Sequence, residues 1–241
     1  MMQKKIREAI FSHAKKEYPK EACGVIVQKY RVKTYLPCVN VATTPQEHFV
    51  ISPQEYALCE DQGVVIGIVH SHPDATTQPS ELDQAQCDAL GIPWYIVSYP
   101  EGDFREILPR GELPLIGRPF VLGFTDCWGL IMSYFKQTHN IVLPDYRVDY
   151  PWWERGEDRY MDNWQEAGFV KVEGEPQAGD MVVMQVQSNV ANHAGIILDD
   201  GMLLHHLYGR LSQRVPYGGY WRDRTVIILR INKSLHEEGL S

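Results

Sequence analysis

His70, Ser71, His72 and Pro73 close an apolar run, and a polar loop leads from them to Ser80 and Asp83. In an extended segment alternate side chains share a side, so His70 and His72 present two imidazoles to one point. Asp83, at the start of the next helix, adds a carboxylate. Two imidazoles, one carboxylate and an open fourth position form the ligand set of a catalytic zinc. The competing reading is a pair of solvated loop histidines beside a serine helix cap. A second group lies downstream. Asp126-Cys127-Trp128-Gly129-Leu130 begins a helical pattern with Leu130, Ile131, Tyr134 and Phe135 on one face. Cys127 then sits in the first turn, where the helix dipole favours thiolate, the reactive form, over thiol. His193 starts one apolar segment and His205 lies near the far end of the next, with Asp199-Asp200-Gly201 as the turn between them. A hairpin folds the two histidines together, giving a nucleophile, a base and a group that orients the base. His206 competes with His205 for the third place; His205 is preferred.

The elements that must carry these groups follow from periodicity. Ile6, Ala9, Ile10, His13 and Ala14 recur at helical spacing up to Pro19. Cys23–Tyr30 and Val32–Val39 read as strands, and 48–51 as a short third one. Ser52-Pro53 opens a helix through Asp61. Val64–Val69 is a buried strand, central in an α/β order, with the histidine pair leaving its end. Ser80 caps a helix over Glu81–Leu90, stopped at Gly91, and Trp94–Tyr99 and Phe104–Leu108 add two strands. Pro109–Pro119 holds three prolines and two glycines, which break regular structure and mark a join. Beyond it, 139–157 is irregular and aromatic, either walling a groove or covering a small core. Asp158–Ala167 reads as a helix, followed by strands over 181–186, 193–198, 202–207 and 225–231. The tail after Lys233 is expected to fray. The resulting domains are 1–109 and 120–241, joined by 110–119.

Across all 241 residues, hydrophobic content is 44%, charged content 22% and formal charge −8. That composition is globular, and without basic runs it argues against nucleic acid or an anionic membrane as partner. No stretch reaches the roughly 20 apolar residues of a membrane span. The charged N-terminus lacks the apolar core of a signal peptide. Five cysteines without a Cys-x-x-Cys pair read as free thiols from a reducing compartment.

Glu21-Ala22-Cys23-Gly24, His70-Ser71-His72-Pro73, Ser80 and Asp83 together resemble the JAMM (Mov34/MPN) metallopeptidases over roughly residues 3–108. The resemblance implies a cytidine-deaminase-like α/β domain. It also implies zinc held by His70, His72 and Asp83, Glu21 as general base, and Ser80 as donor to a developing oxyanion. Asp126-Cys127, Gly179-Asp180, His193-Ala194-Gly195-Ile196 and His205 resemble the NlpC-type cysteine peptidases, a papain-like α+β fold, over roughly 120–231. Trp128 departs from the serine usual beside the nucleophile. This second resemblance implies Cys127 as nucleophile, His193 as base, His205 as the orienting residue, and peptidoglycan stem peptides as substrate.

The fusion of the two, in this order, is similar to a family of tail-tip proteins of lambda-like phages. It implies peptidoglycan peptides and other tail-tip proteins as partners, and a place in the host cytoplasm during assembly or at the virion tail tip. Alternatives are an assembly-time protease acting through the metal set, or a non-catalytic tail-tip scaffold.

Overall fold

The computed structural model describes residues 2–232 and Ser234, and the chain divides between Gly111 and Glu112 into two compact α+β units. Apart from Ser234, the tail expected to fray lies outside the described residues. No helix among the described residues is long and apolar enough to cross a membrane.

The first unit contains α1 (Lys4–Glu17), β1 (Cys23–Lys29), β2 (Val32–Cys38), α2 (Pro53–Glu60), β3 (Val64–Pro73), α3 (Glu81–Leu90), β4 (Trp94–Tyr99) and β5 (Phe104–Ile107). Its sheet runs β2-β1-β3-β4-β5. β3 and β4 pair in parallel and the other neighbours antiparallel, so α3 serves as the crossover that a parallel pair needs. Alternation divides the strands between two cores. Ile26, Val69 and Val97 meet Ile6, Ile10 and Ala14 of α1, while Val25, Val27, Ile68 and Ile96 meet Cys59 and Cys87 from α2 and α3. Burial on both faces explains the continuous apolar run in β3.

Two expectations need correction here. The histidine pair lies within β3, which continues to Pro73, and does not leave its end. Residues 48–51 form no strand. The Asn40 side chain organises that segment instead, donating to the carbonyls of Glu21 and His48 and accepting from the amides of Ala42 and Val50. A side chain that meets these backbone groups removes the need for a ladder.

The second unit contains α4 (Cys127–His139), α5 (Arg159–Asn163), β6 (Phe169–Val172), β7 (Met181–Met184), β8 (His193–Ile197), β9 (Met202–His205), β10 (Gln213–Pro216) and β11 (Thr225–Ile231). The sheet is antiparallel, in the order β10-β9-β8-β7-β11-β6. α4 lays Leu130, Ile131 and Phe135 on Met181, Val183, Ala194, Ile196 and Leu229. The opposite face packs Val182, Met184, Ile197 and Leu203 against Tyr217 and Trp221. The edge strands β6 and β10, four residues each, were not expected. The helix over 158–167 is α-helical only across α5. In the aromatic stretch Trp152 does both things expected of it, joining the core and lining a groove.

The proline-rich join is ordered from both ends. Arg110 pairs with Asp88 of the first unit at 2.7 Å. Arg118, buried in the second unit, donates to the carbonyls of Leu113 and Pro114 and to Ser133 Oγ, while its amide donates to Ser212 Oγ.

Candidate active sites

In the first unit the strand register builds the site. Cys23 pairs with His70 across β1 and β3. One step outward, the Ala22 amide donates to Ser71 Oγ at 2.8 Å and the Ser71 amide to the Ala22 carbonyl at 2.9 Å. That staple sets buried Glu21 across from His72. α3 delivers the carboxylate: the Ser80 hydroxyl accepts from the Asp83 amide, and Asp83 Oδ2 accepts from the Ser80 amide and hydroxyl at 2.7 and 2.8 Å. This capping box points Asp83 back at β3.

The three groups converge. His70 Nε2 lies 3.0 Å from His72 Nε2 and 3.2 Å from Asp83 Oδ1, and His72 Nε2 lies 3.6 Å from Asp83 Oδ2. Ligand atoms around a tetrahedral zinc, each about 2.0–2.1 Å from the ion, lie roughly 3.3 Å from one another. The donor set therefore fits zinc in both chemistry and spacing. His72 Nδ1 donates to the Thr76 carbonyl at 2.8 Å, the second bond that commonly orients a metal-binding imidazole. Among the described residues His70 Nδ1 has no such partner; its ring is held instead by stacking on Phe49 at 4.7 Å and by the edge of Trp94. Burial lowers the His70 pKa against the pull of Asp83. Asp83, despite its burial, is held well below the usual carboxylate range by His70 and His72. Burial pushes the Glu21 carboxyl up to about 7, where it can take and return a proton near neutrality.

In the second unit Asp126 caps α4, accepting from the amides of Gly129 and Gly123, and so sets Cys127 at the first helical position. Cys127 and His193 line one groove of about 680 Å³, with Trp128, Trp152 and Tyr160 in its walls. The Ala194 amide, next in chain to His193, lies against the sulfur. His193 Nε2 and His205 Nδ1 are 3.1 Å apart, and His205 Nε2 lies 3.4 Å from the Gln213 amide. Gly195 pairs with His205 across β8 and β9, and a Cβ there would stand 2.7 Å from the Leu204 carbonyl and 3.0 Å from His205 Cβ. The bare glycine is what lets the two strands, and so the two imidazoles, approach. His206 also lines the groove, but it bonds away from His193, its Nε2 at 3.2 Å from the Arg210 carbonyl and its ring against Phe120.

The thiolate expected at the helix start is not favoured. Burial pushes the Cys127 thiol up to about 12 and the Asp126 charge adds to it, outweighing the Tyr160 hydroxyl and the amides of Ala194 and Trp128. Burial likewise lowers His193 to about 3 and His205 to about 4. The resting pair is neutral thiol and neutral imidazole, and among the described residues no hydrogen bond joins them.

Three contributors escaped the sequence. Tyr160 donates its hydroxyl to Cys127 Sγ at 3.1 Å; Gln213 ends the imidazole chain; and the Trp221 ring covers His205 at 4.4 Å and His193 at 5.9 Å. None carries a local signal: Tyr160 and Trp221 arrive from other elements, and Gln213, eight residues from His205, from a neighbouring strand too short to read from sequence.

Comparison with known proteins accounts for both units. Residues 3–108 match the family described as prokaryotic homologs of the JAB domain, and residues 117–230 match the NlpC/P60 family. The chain is 64% identical to tail tip assembly protein K of Escherichia phage N15 over 231 residues, covering 95% of each chain. It is 34% identical to tail tip assembly protein K of Escherichia phage lambda over 176 residues, covering 73% of this chain and 86% of that one. The desampylase of Haloferax volcanii is 30% identical over 108 residues, covering 40% of this chain and 77% of its own. With such identity over nearly all of both sequences, the chain belongs to the phage tail tip assembly protein K family and joins a JAB-type domain to an NlpC/P60 domain.

Proposed function

We propose that the protein is a tail-tip peptidase whose second unit hydrolyses peptidoglycan stem peptides at the γ-D-glutamyl to diamino-acid bond during infection. It assembles in the host cytoplasm with other tail-tip proteins and acts from the tail. The observation that carries this reading is the half-buried Cys127 opening on the same groove as His193, with buried His205 3.1 Å behind His193. The productive tautomer follows from the chain of contacts. Turned to present its oxygen, the Gln213 amide accepts from His205 Nε2–H, and His205 Nδ1 accepts from His193 Nε2–H. His193 Nδ1 is then left with a lone pair for the thiol proton. Proton transfer creates thiolate and imidazolium together, so their attraction offsets part of the desolvation that disfavours each ion alone. Sγ attacks the carbonyl carbon, and His193 returns the proton to the leaving amine as the C–N bond breaks. A water, deprotonated by His193, then releases the acyl group.

In the first unit His70, His72 and Asp83 would hold zinc, which when bound supplies a Lewis acid and lowers the pKa of a coordinated water toward ~7. Glu21 would carry the proton between nucleophile and leaving group. Ser80 would donate to the substrate carbonyl oxygen, on condition that its proton leaves Asp83 Oδ2. The complete donor set, with all three ligand atoms within 4.8 Å of one another, supports a second reading, an assembly-time protease that processes a tail protein through the metal site.

One experiment separates the two readings. Purified wild type, Cys127→Ala and Asp83→Ala are incubated with peptidoglycan, and the same variants are tested for maturation of tail components. Muropeptide release that depends on Cys127 and not on Asp83 is expected. A maturation defect confined to Asp83→Ala, with no Cys127-dependent release, would overturn the first reading in favour of the second.

A further inference from the structure

We propose that the Tyr160 hydroxyl is a catalytic hydrogen-bond donor of the thiol site, stabilising the carbonyl oxygen of the substrate as Cys127 attacks. The assignment rests on the thiol-peptidase reading above. Its hydroxyl lies 3.1 Å from Sγ, the reacting atom, and Sγ is its polar partner among the described residues. The ring is buried, edge-on to Trp128 and Trp152, so the oxygen is fixed in place from α5. Burial raises the phenol well above its ordinary value, keeping the proton on oxygen as a donor.

Several other donors along the groove are engaged, though the Tyr146 hydroxyl, also on the groove, has no hydrogen-bond partner among the described residues. Arg147 is bound to Asp145 and the Phe124 carbonyl, Arg159 to Glu157 and the Tyr146 carbonyl, and Trp128 Nε1 to the Pro144 carbonyl. At the helix start the Gly129 and Leu130 amides are taken by Asp126. The Cys127 amide, one of the orphan donors of a helix terminus, is left to complement the phenol.

The step balances without net transfer to or from the tyrosine. As the Sγ–C bond forms, the thiol proton passes to His193 and the carbonyl π pair moves to oxygen. Tyr160 O–H turns from sulfur, whose lone pair is now in the new bond, to that oxygen. When C=O re-forms and the C–N bond breaks, the leaving amine takes the proton from His193 and Tyr160 keeps its own. A donor already held beside the reacting atom lowers the barrier because only its O–H bond must turn as charge develops on the oxygen.

Tyr160→Phe tests this, since it keeps the ring and its two tryptophan contacts. Two reactions of Cys127 are compared in the full chain: acylation by p-nitrophenyl acetate, which develops an oxyanion, and alkylation by iodoacetamide, which develops none at the carbon attacked. The expected result is acylation slowed by about 10²-fold or more, with alkylation slowed far less, since loss of the Tyr160 hydrogen bond to sulfur makes the thiolate harder to form in both reactions. Acylation within about threefold of wild type, or both reactions slowed in parallel, would overturn the proposal. Tyr160-dependent acylation in a protein that releases no muropeptides would sink the peptidase reading and leave the donor role standing. A wild-type Cys127 that is not acylated at all would sink both.

Discussion

His193, His205 and His206 form a buried imidazole group whose neutrality makes the second unit sensitive to mild acid. Burial, with mutual repulsion at His193 and His205, lowers their pKa values to about 3, 4 and 4. In the unfolded chain each returns to about 6.5. Between pH 7 and 5 the unfolded chain therefore gains protons that the folded chain does not, and stability falls as pH falls. For one such imidazole the loss over that interval is about 2 kcal/mol, and for three about 5–6 kcal/mol. Set against a typical total of roughly 5–15 kcal/mol, this is enough to bring the unit close to unfolding. The perturbation is measured by urea denaturation at pH 7 and pH 5, followed by tryptophan fluorescence. Of the six tryptophans, Trp94 lies in the first unit and the others in the second, so the signal reports mainly the unit of interest. Glu21 acts with the opposite sign: its folded carboxyl, pushed up to about 7, binds a proton before the unfolded one does and steadies the first unit over the same interval. A loss in the second unit smaller than about 2 kcal/mol, the share of one imidazole, would refute the idea that these rings are held neutral by burial.

Gly195→Ala would place a Cβ 2.7 Å from the Leu204 carbonyl, so β8 and β9 must part; a destabilisation of about 1–3 kcal/mol is expected in denaturant, with muropeptide release falling further because His205 leaves His193. For the first unit, zinc at about 100 times its Kd is expected to add about 2.7 kcal/mol to wild type. That gain should be largely lost in Asp83→Ala, and equal zinc-induced shifts in Tm for the two proteins would count against the three-ligand site.

Legibility tracked the range of the signal. The Ser52, Ser80 and Asp126 caps act within three residues, and each helix start is written in its own segment. The two-residue period of a strand likewise foretold that His70 and His72 share a side, and a turn at 199–201 brought His193 toward His205. The exception at 48–51 was apolar enough for a strand, yet Asn40 bonded its backbone first. β6 and β10 are too short to show a period, and their pairing with β11 and β9 decides that they are strands at all. In the thiol site, helix position alone pointed to thiolate. Burial beneath the groove walls reversed that expectation, because desolvating an ion costs more than one turn of helix dipole returns.

By itself, the amino-acid order determined the division into two units, most of the elements of each, and which histidines, carboxylates and thiol could meet, because caps, turns and periodicity are local. Only the tertiary structure decided the choice of His205 over His206 as the neighbour of His193, the arrival of Tyr160, Gln213 and Trp221 around the thiol chain, and the protonation states of the groups. These depend on what long-range packing brings near a side chain and how much water it removes. No spacing along one chain records either quantity.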